Sequence, residues 1–205
     1  MTNLLRRGLF PLLICALPLV TIGCSINVDK NENGGEKKVK IDTPLGGIHV
    51  NTNKAGGSTG IALYPGAIPL ADHDGDKDAD VSLGFGAWKL HVQVEHYSTP
   101  DDSAKVVAYY HKALAKYGDV LTCQGAHPVG MPAKTAEGLT CEATDKSVHI
   151  EENSKGLTLR TGSRRRQHMV AFDKEASASS AGPTSFVLIA LDLPSESWKK
   201  DRETD

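Results

Sequence analysis

No apolar run in this 205-residue chain reaches the roughly 20 residues a membrane-spanning helix needs. The longest, Leu9–Ile22, has about 14 and is interrupted by Pro11 and Pro18, which disturb a spanning helix. Cysteine is scarce: four residues, with no C-x-x-C pair and no compact Cys/His cluster, which argues against a zinc site and against a dithiol redox role. There is no basic excess, since 23 Lys and Arg face 25 Asp and Glu. Nucleic acid, which needs a basic stripe, is therefore not an expected partner. The eight His are dispersed and form no spaced ligand pair.

What is present begins at the amino terminus. Met1–Arg7 is short and basic through Arg6 and Arg7, Leu9–Ile22 carries no charge, and small residues close the run. That order is a signal peptide, with an uncleaved membrane anchor as the alternative. Thr21-Ile22-Gly23-Cys24 then resembles the lipobox of bacterial lipoproteins. Gly23 and Cys24 fit it, while Thr21 stands where Leu is usual and Ile22 is bulkier than the common choice. The resemblance covers only the export segment. It implies cleavage after residue 23, acyl chains on Cys24 and a membrane as partner through that anchor. An ordinary signal peptidase would also accept Thr21 and Gly23. Ser25 follows in place of the Asp that retains some lipoproteins at the inner membrane, which points to an outer-membrane or periplasm-facing location. One acyl chain binds a bilayer marginally, whereas two or three hold it.

Cysteine arithmetic follows from this. Cys15 leaves with the signal and Cys24 takes the lipid, so Cys123 and Cys141 remain as an even pair in an oxidising compartment, where a disulfide is the default. Closing a loop of about 20 residues stabilises a fold by about 3 kcal/mol in the chain-entropy account. Loss of residues 1–23 leaves 21 basic against 25 acidic residues, a net charge of −4.

The chain divides at 1–23 (signal), 24–38 (a polar stretch expected as a flexible tether), 39–59 (a short hairpin about Gly46-Gly47, then a Gly- and Asn-rich linker), 60–194 (the main domain) and 195–205 (a charged tail). Within the main domain Val81, Leu83 and Phe85 alternate, as do Trp88, Leu90, Val92 and Val94, which predicts two antiparallel strands with Lys89, His91, Gln93 and Glu95 on the polar face of the second. Thr99, Pro100, Asp101 and Asp102 predict a helix start. Val107, Tyr110, Leu114 and Tyr117 form an apolar stripe, and Gly118 predicts the stop. Further strands are expected at Val120–Cys123, Leu139–Ala143, Val148–Glu152, Leu157–Thr161, Met169–Phe172 and Phe186–Leu193, with a Ser/Ala-rich loop over Glu175–Thr184. One main helix packed on one face of a mostly antiparallel sheet is an α+β fold. The block from Tyr64-Pro65-Gly66-Ala67 to Leu114 also resembles uncharacterised exported bacterial domains, over about half the chain and on unspecific residues. That resemblance implies a non-catalytic envelope module and supplies no site residues.

Candidate chemistry is sparse. Gly56-Gly-Ser58-Thr-Gly60 fits G-x-S-x-G, but that motif works on a strand-to-helix elbow, and here a linker precedes it while Pro65 and Pro69 bar a regular helix after it. Asp72, Asp74, Asp76, Asp78 and Asp80 alternate like calcium ligands. The EF-hand register fails, because with Gly75 at the sixth position Leu70 and Val81 fall where acids are needed, so a solvated acidic loop is the plainer reading. Arg164–Arg166, between two apolar stretches, reads as a solvated turn. His91, His96, His111, Tyr109 and Tyr110 read as surface or packing residues. No cofactor is implied. The sequence thus points to an envelope-tethered binding or structural module, with an envelope protein or peptide as a possible partner. A hydrolytic or other envelope enzyme and a weak calcium-binding surface protein are the alternatives.

Overall fold

The computed structural model describes residues 24–30, 37–52, 57–70, 78–142, 156–172 and 183–194. Among these residues eleven strands and one α-helix follow in the order β1 (Ser25–Lys30), β2 (Lys37–Thr43), β3 (Gly46–Thr52), β4 (Ile68–Pro69), β5 (Ala79–Phe85), β6 (Trp88–Thr99), α1 (Ser103–Leu114), β7 (Val120–Gln124), β8 (His127–Pro128), β9 (Leu157–Gly162), β10 (Arg166–Phe172) and β11 (Thr184–Asp192). They form one open antiparallel sheet in the order β1-β2-β3-β5-β6-β11-β10-β9-β7-β8, with β4 added to β6. The 12-residue β6 is its spine. Its first half pairs with β5 (Phe85 opposite Trp88, Ala79 opposite Val94), its last residues pair with β4, and its other edge pairs with β11 from His91 to Thr99.

Strand alternation decides what the helix covers. On the face that carries the odd-numbered residues of β6, register aligns Tyr97, Phe186 and Phe172 in one row and Leu188, Val170 and Leu159 in another. Val106, Tyr110 and Leu114 recur at helical spacing on α1 and complete a single core with these residues. Each such side chain contributes about 1.5–3 kcal/mol on full burial. The same face is polar beyond β6: Gln93 lies opposite Asp80, which lies opposite Asn51 and then Lys38, and His91 leads likewise to Ser82, His49 and Lys40. The reverse face of this wing is apolar, with Val39, Ile41, Ile48, Val50, Val81 and Leu83 in register, each only partly buried. Gly46 permits the β3–β5 pairing, because a Cβ there would meet the Gly84 carbonyl and lie 2.7 Å from the Phe85 ring.

The sheet thus agrees with the expected dominance of antiparallel strands and a single helix, and several particulars differ. Ser25–Lys30, expected as flexible tether, is strand β1, in register with β2 from Ser25 opposite Asp42 onward. Ile26 and Val28 alternate within an otherwise polar stretch, and composition alone hides them. The 39–59 hairpin turns at Pro44-Leu45 rather than at Gly46-Gly47, which open β3, and through β3 it joins the main sheet. The helix starts later than expected: Asp102 occupies the cap position, Pro100 and Asp101 precede it, and Thr99 ends β6. Gly118 does end the helical segment, after a 3-10 turn at Ala115–Tyr117, and its N–H donates to Ala115 O. Leu139–Cys141 is loop, not strand, and β7 pairs with β9. The signal segment, Val148–Glu152 and the tail after residue 194 lie outside the described residues. Among the described residues no helix is long and apolar enough to cross a membrane.

Candidate functional site

Among the described residues the most buried acidic side chain is Glu95, on the side of β6 that alternation assigns to polar residues; it is 1% exposed. Its cover comes from far along the chain. Ser58 donates from its backbone N–H and from its hydroxyl to Glu95 Oε1, both at 2.8 Å, and Thr59 Oγ1 donates to Oε2 at 3.2 Å. A carboxylate with several donors tolerates burial that an unpaired one does not. The hydroxyl of the G-x-S-x-G serine is thus a fastener. The segment that follows is held in the same way. Tyr117 Oη and Lys116 Nζ donate to Gly60 O, Tyr109 Oη donates to Leu63 O at 2.9 Å, and the Tyr64 N–H donates to Tyr110 Oη at 3.1 Å. Pro65-Gly66 makes the turn that closes with Ala67 N–H on Tyr64 O, Gly66 taking φ +78°. Tyr64 Oη donates to Asp101 Oδ2 at 2.7 Å, which pushes the Tyr64 phenol up and holds the Asp101 carboxyl below the usual range. Tyr110, pushed up by burial, sits edge-on to Tyr109 with ring centroids 5.1 Å apart. Tyr109 and Tyr110 are packing residues, as the sequence suggests.

The half of this face that no described helix covers carries paired polar and titratable side chains. His91 Nε2 lies 2.7 Å from Asp80 Oδ1, and Gln93 Nε2 donates to Asp80 Oδ2 at 3.3 Å. His49 Nε2 lies 3.0 Å from Asp42 Oδ1, with Lys40 Nζ 3.1 Å from Oδ2; the His49 hydrogen bond, then Lys40, holds the Asp42 carboxyl below the ordinary carboxylate range. Near the end of β6, His96 donates its backbone N–H to Asp78 Oδ1 at 2.7 Å, with Nδ1 3.2 Å from the same oxygen. A shallow depression of about 240 Å³ is lined by Lys38, Lys40, His49, Asn51 and Asp80 together with Val39 and Val50. Ser82 stands between His49 and His91 in the cross-strand row. Among the described residues no hydrogen bond joins its hydroxyl to either ring. The row therefore offers polar recognition along a flat face.

Of the acidic loop, Asp72, Asp74 and Asp76 lie outside the described residues. Asp78 and Asp80 are engaged by histidines as above, and no three metal-ligating side chains converge among the described residues. Cys123 and Cys141 form the expected disulfide with Cα atoms 5.5 Å apart. It does not join neighbouring strands. Cys141 belongs to the loop that returns beneath β7, where Leu121, Cys123, Leu139 and Cys141 make a second small core, and Arg160 Nη1 donates to Cys141 O at 3.3 Å. Cys24 is exposed at the start of β1. The chain has no match among protein-family models, curated proteins or solved structures.

Proposed function

We propose that this is an exported protein held to a membrane by acyl chains on Cys24, and that it works as a binding or structural module of the cell envelope. The buried Cys123–Cys141 disulfide suits an oxidising, exported environment. The observation that carries the binding reading is the wing β1-β2-β3-β5, which no described helix covers on either face and which, among the described residues, ends in a strand with one open edge. On β1, Ile26 is 67% and Val28 50% exposed, so this edge presents backbone donors and acceptors beside apolar side chains. An extended segment of an envelope protein or peptide adds to such an edge, with backbone hydrogen bonds for affinity and alternate side chains for choice. The α+β core supplies the rigid support, while the titratable groups beside it are engaged with one another.

Recovery of partners from native membranes, with Val28→Pro as the comparison, tests this. Proline removes an edge donor, so a specific partner is expected with the parent chain and reduced with the variant. Identical recovery by both chains rules out the β1 edge as the docking strand.

A further inference from the structure

The strand register brings Cys24 to one particular end of the wing. Ser25 lies opposite Asp42, so Cys24 stands beside Thr43; Thr43 lies opposite Gly46, Gly46 opposite Phe85 and Phe85 opposite Trp88. The start of β1, the Pro44-Leu45 turn and the Gly86-Ala87 turn therefore share an end across four strand spacings, about 19 Å. Leu45 is 83% exposed at the first turn and Phe85 is 49% exposed at the second, with the Trp88 ring 5.9 Å from that of Phe85. Single exposed apolar residues are ordinary. Two of them on adjacent hairpin tips, with the half-buried Trp88 ring beside Phe85, make a patch at the end that carries Cys24. The same end is basic. Lys89 is exposed, and the antiparallel order from β6 through β11 to β10 sets Asp192 opposite His91 and Arg166 opposite Asp192. The turn Ser163–Arg165 thus stands about level with Lys89, with Arg164 and Arg165 exposed, while Arg166 is paired with Asp192 at 2.9 Å.

We infer that this end of the sheet lies on the surface of a lipid bilayer, with Leu45, Phe85 and Trp88 entering the headgroup region and Lys89, Arg164 and Arg165 facing anionic headgroups. The inference deepens the anchoring reading. Cys24 immediately precedes β1, so its acyl chains would hold this end of the sheet at the membrane with no tether between them. A ring of amphipathic shape suits the headgroup level. Basic residues near an anionic leaflet each raise affinity by about fivefold, and a basic patch complements an acyl anchor. The wing then stands off the surface, with the open edge of β1 at its side.

The test uses the processed chain purified from membranes, carrying Trp198→Phe so that Trp88 is the one fluorophore of its kind, on vesicles of phosphatidylcholine alone or in equal mixture with phosphatidylglycerol. Trp88 emission is expected to shift to the blue on vesicles and to be quenched by brominated lipid, more so in the anionic mixture. Leu45→Asp with Phe85→Asp should abolish the quenching, and Arg165→Glu should weaken the preference for anionic lipid by at least about fivefold. Unquenched Trp88 in protein that floats with the vesicles overturns the inference, as does absence of flotation on both compositions. A blue shift that appears without lipid and rises with protein concentration overturns it too, since the tips would then be buried between two copies. Mass measurement of the Cys24 peptide judges the anchor separately: lipid on Cys24 with unquenched Trp88 leaves the anchor standing and the tip contact refuted, while quenched Trp88 without lipid does the reverse.

Discussion

Glu95→Gln isolates what the buried carboxylate does, because the amide matches its size. In the parent chain Oε1 accepts two hydrogen bonds at 2.8 Å from Ser58, and Oε2 accepts one at 3.2 Å from Thr59. A hydrogen bond to a charged group is worth about 1.5–3 kcal/mol net and a neutral one about 0.5–1.5 kcal/mol. Neutralising the acceptor of the two short bonds therefore costs about 1 kcal/mol each, while the third survives by reversal, the new amide donating to the Thr59 hydroxyl. Relief from burying a charge at 1% exposure offsets part of this. The expected loss is about 2 kcal/mol at most, and with a urea slope of about 2 kcal/mol/M the midpoint falls by up to about 1 M at unchanged slope. Ser58→Ala should cost less in the Glu95→Gln background than in the parent, and amide exchange of Ser58 should quicken by more than global stability accounts for. Equal stability of Glu95→Gln and parent, or no coupling between the two substitutions, refutes the reasoning. The Tyr64–Asp101, Tyr109–Leu63 and Tyr117–Gly60 contacts would then hold the segment by themselves.

Removing the disulfide with Cys123→Ala and Cys141→Ala, 18 positions apart, should cost about 3 kcal/mol in chemical denaturation; a loss near zero would show that the unfolded chain is not constrained by the bridge. His168 stacks on Tyr117 with centroids 3.8 Å apart, and burial, the largest influence, lowers its affinity for a proton. The unfolded chain therefore takes up that proton first as pH falls. The contribution of His168 is complete above about pH 6.5 and is lost as pH drops below that value. His168→Phe keeps the stack and should flatten this part of the stability profile, and an unchanged slope contradicts the assignment. Calorimetric titration with calcium should give dissociation constants weaker than about 10 µM, since Asp78 and Asp80 of the Asp72–Asp80 run are engaged by histidines; tighter binding would mean that the run forms a true site.

The parts of the fold that were legible in the sequence are those set by local period. Alternation from Val81 to Val94 gave the β5–β6 strand pair, and the spacing of Tyr110 and Leu114 gave the buried side of α1, where Val106 rather than Val107 is the fully buried valine. The cysteine count gave the bridge. What local pattern cannot carry is distance along the chain. Glu95 belongs to the polar row of β6 by alternation, and it is buried because Ser58 and Thr59, some 36 residues earlier, fold over it. Leu139 and Cys141 have a strand-like composition, yet they are apolar because their loop returns beneath β7. The strand β1 was hidden for the opposite reason, its two apolar residues being diluted by polar neighbours whose partner strand supplies the order.

We propose that the chain is exported, cleaved before Cys24 and lipid-anchored there. Intact mass of the protein extracted from membranes tests it most directly. The expected species begins at Cys24, carries acyl chains on that residue, and gains the mass of two hydrogens on reduction of Cys123–Cys141. A chain that retains residues 1–23, or that begins at Cys24 with a free thiol, contradicts the account.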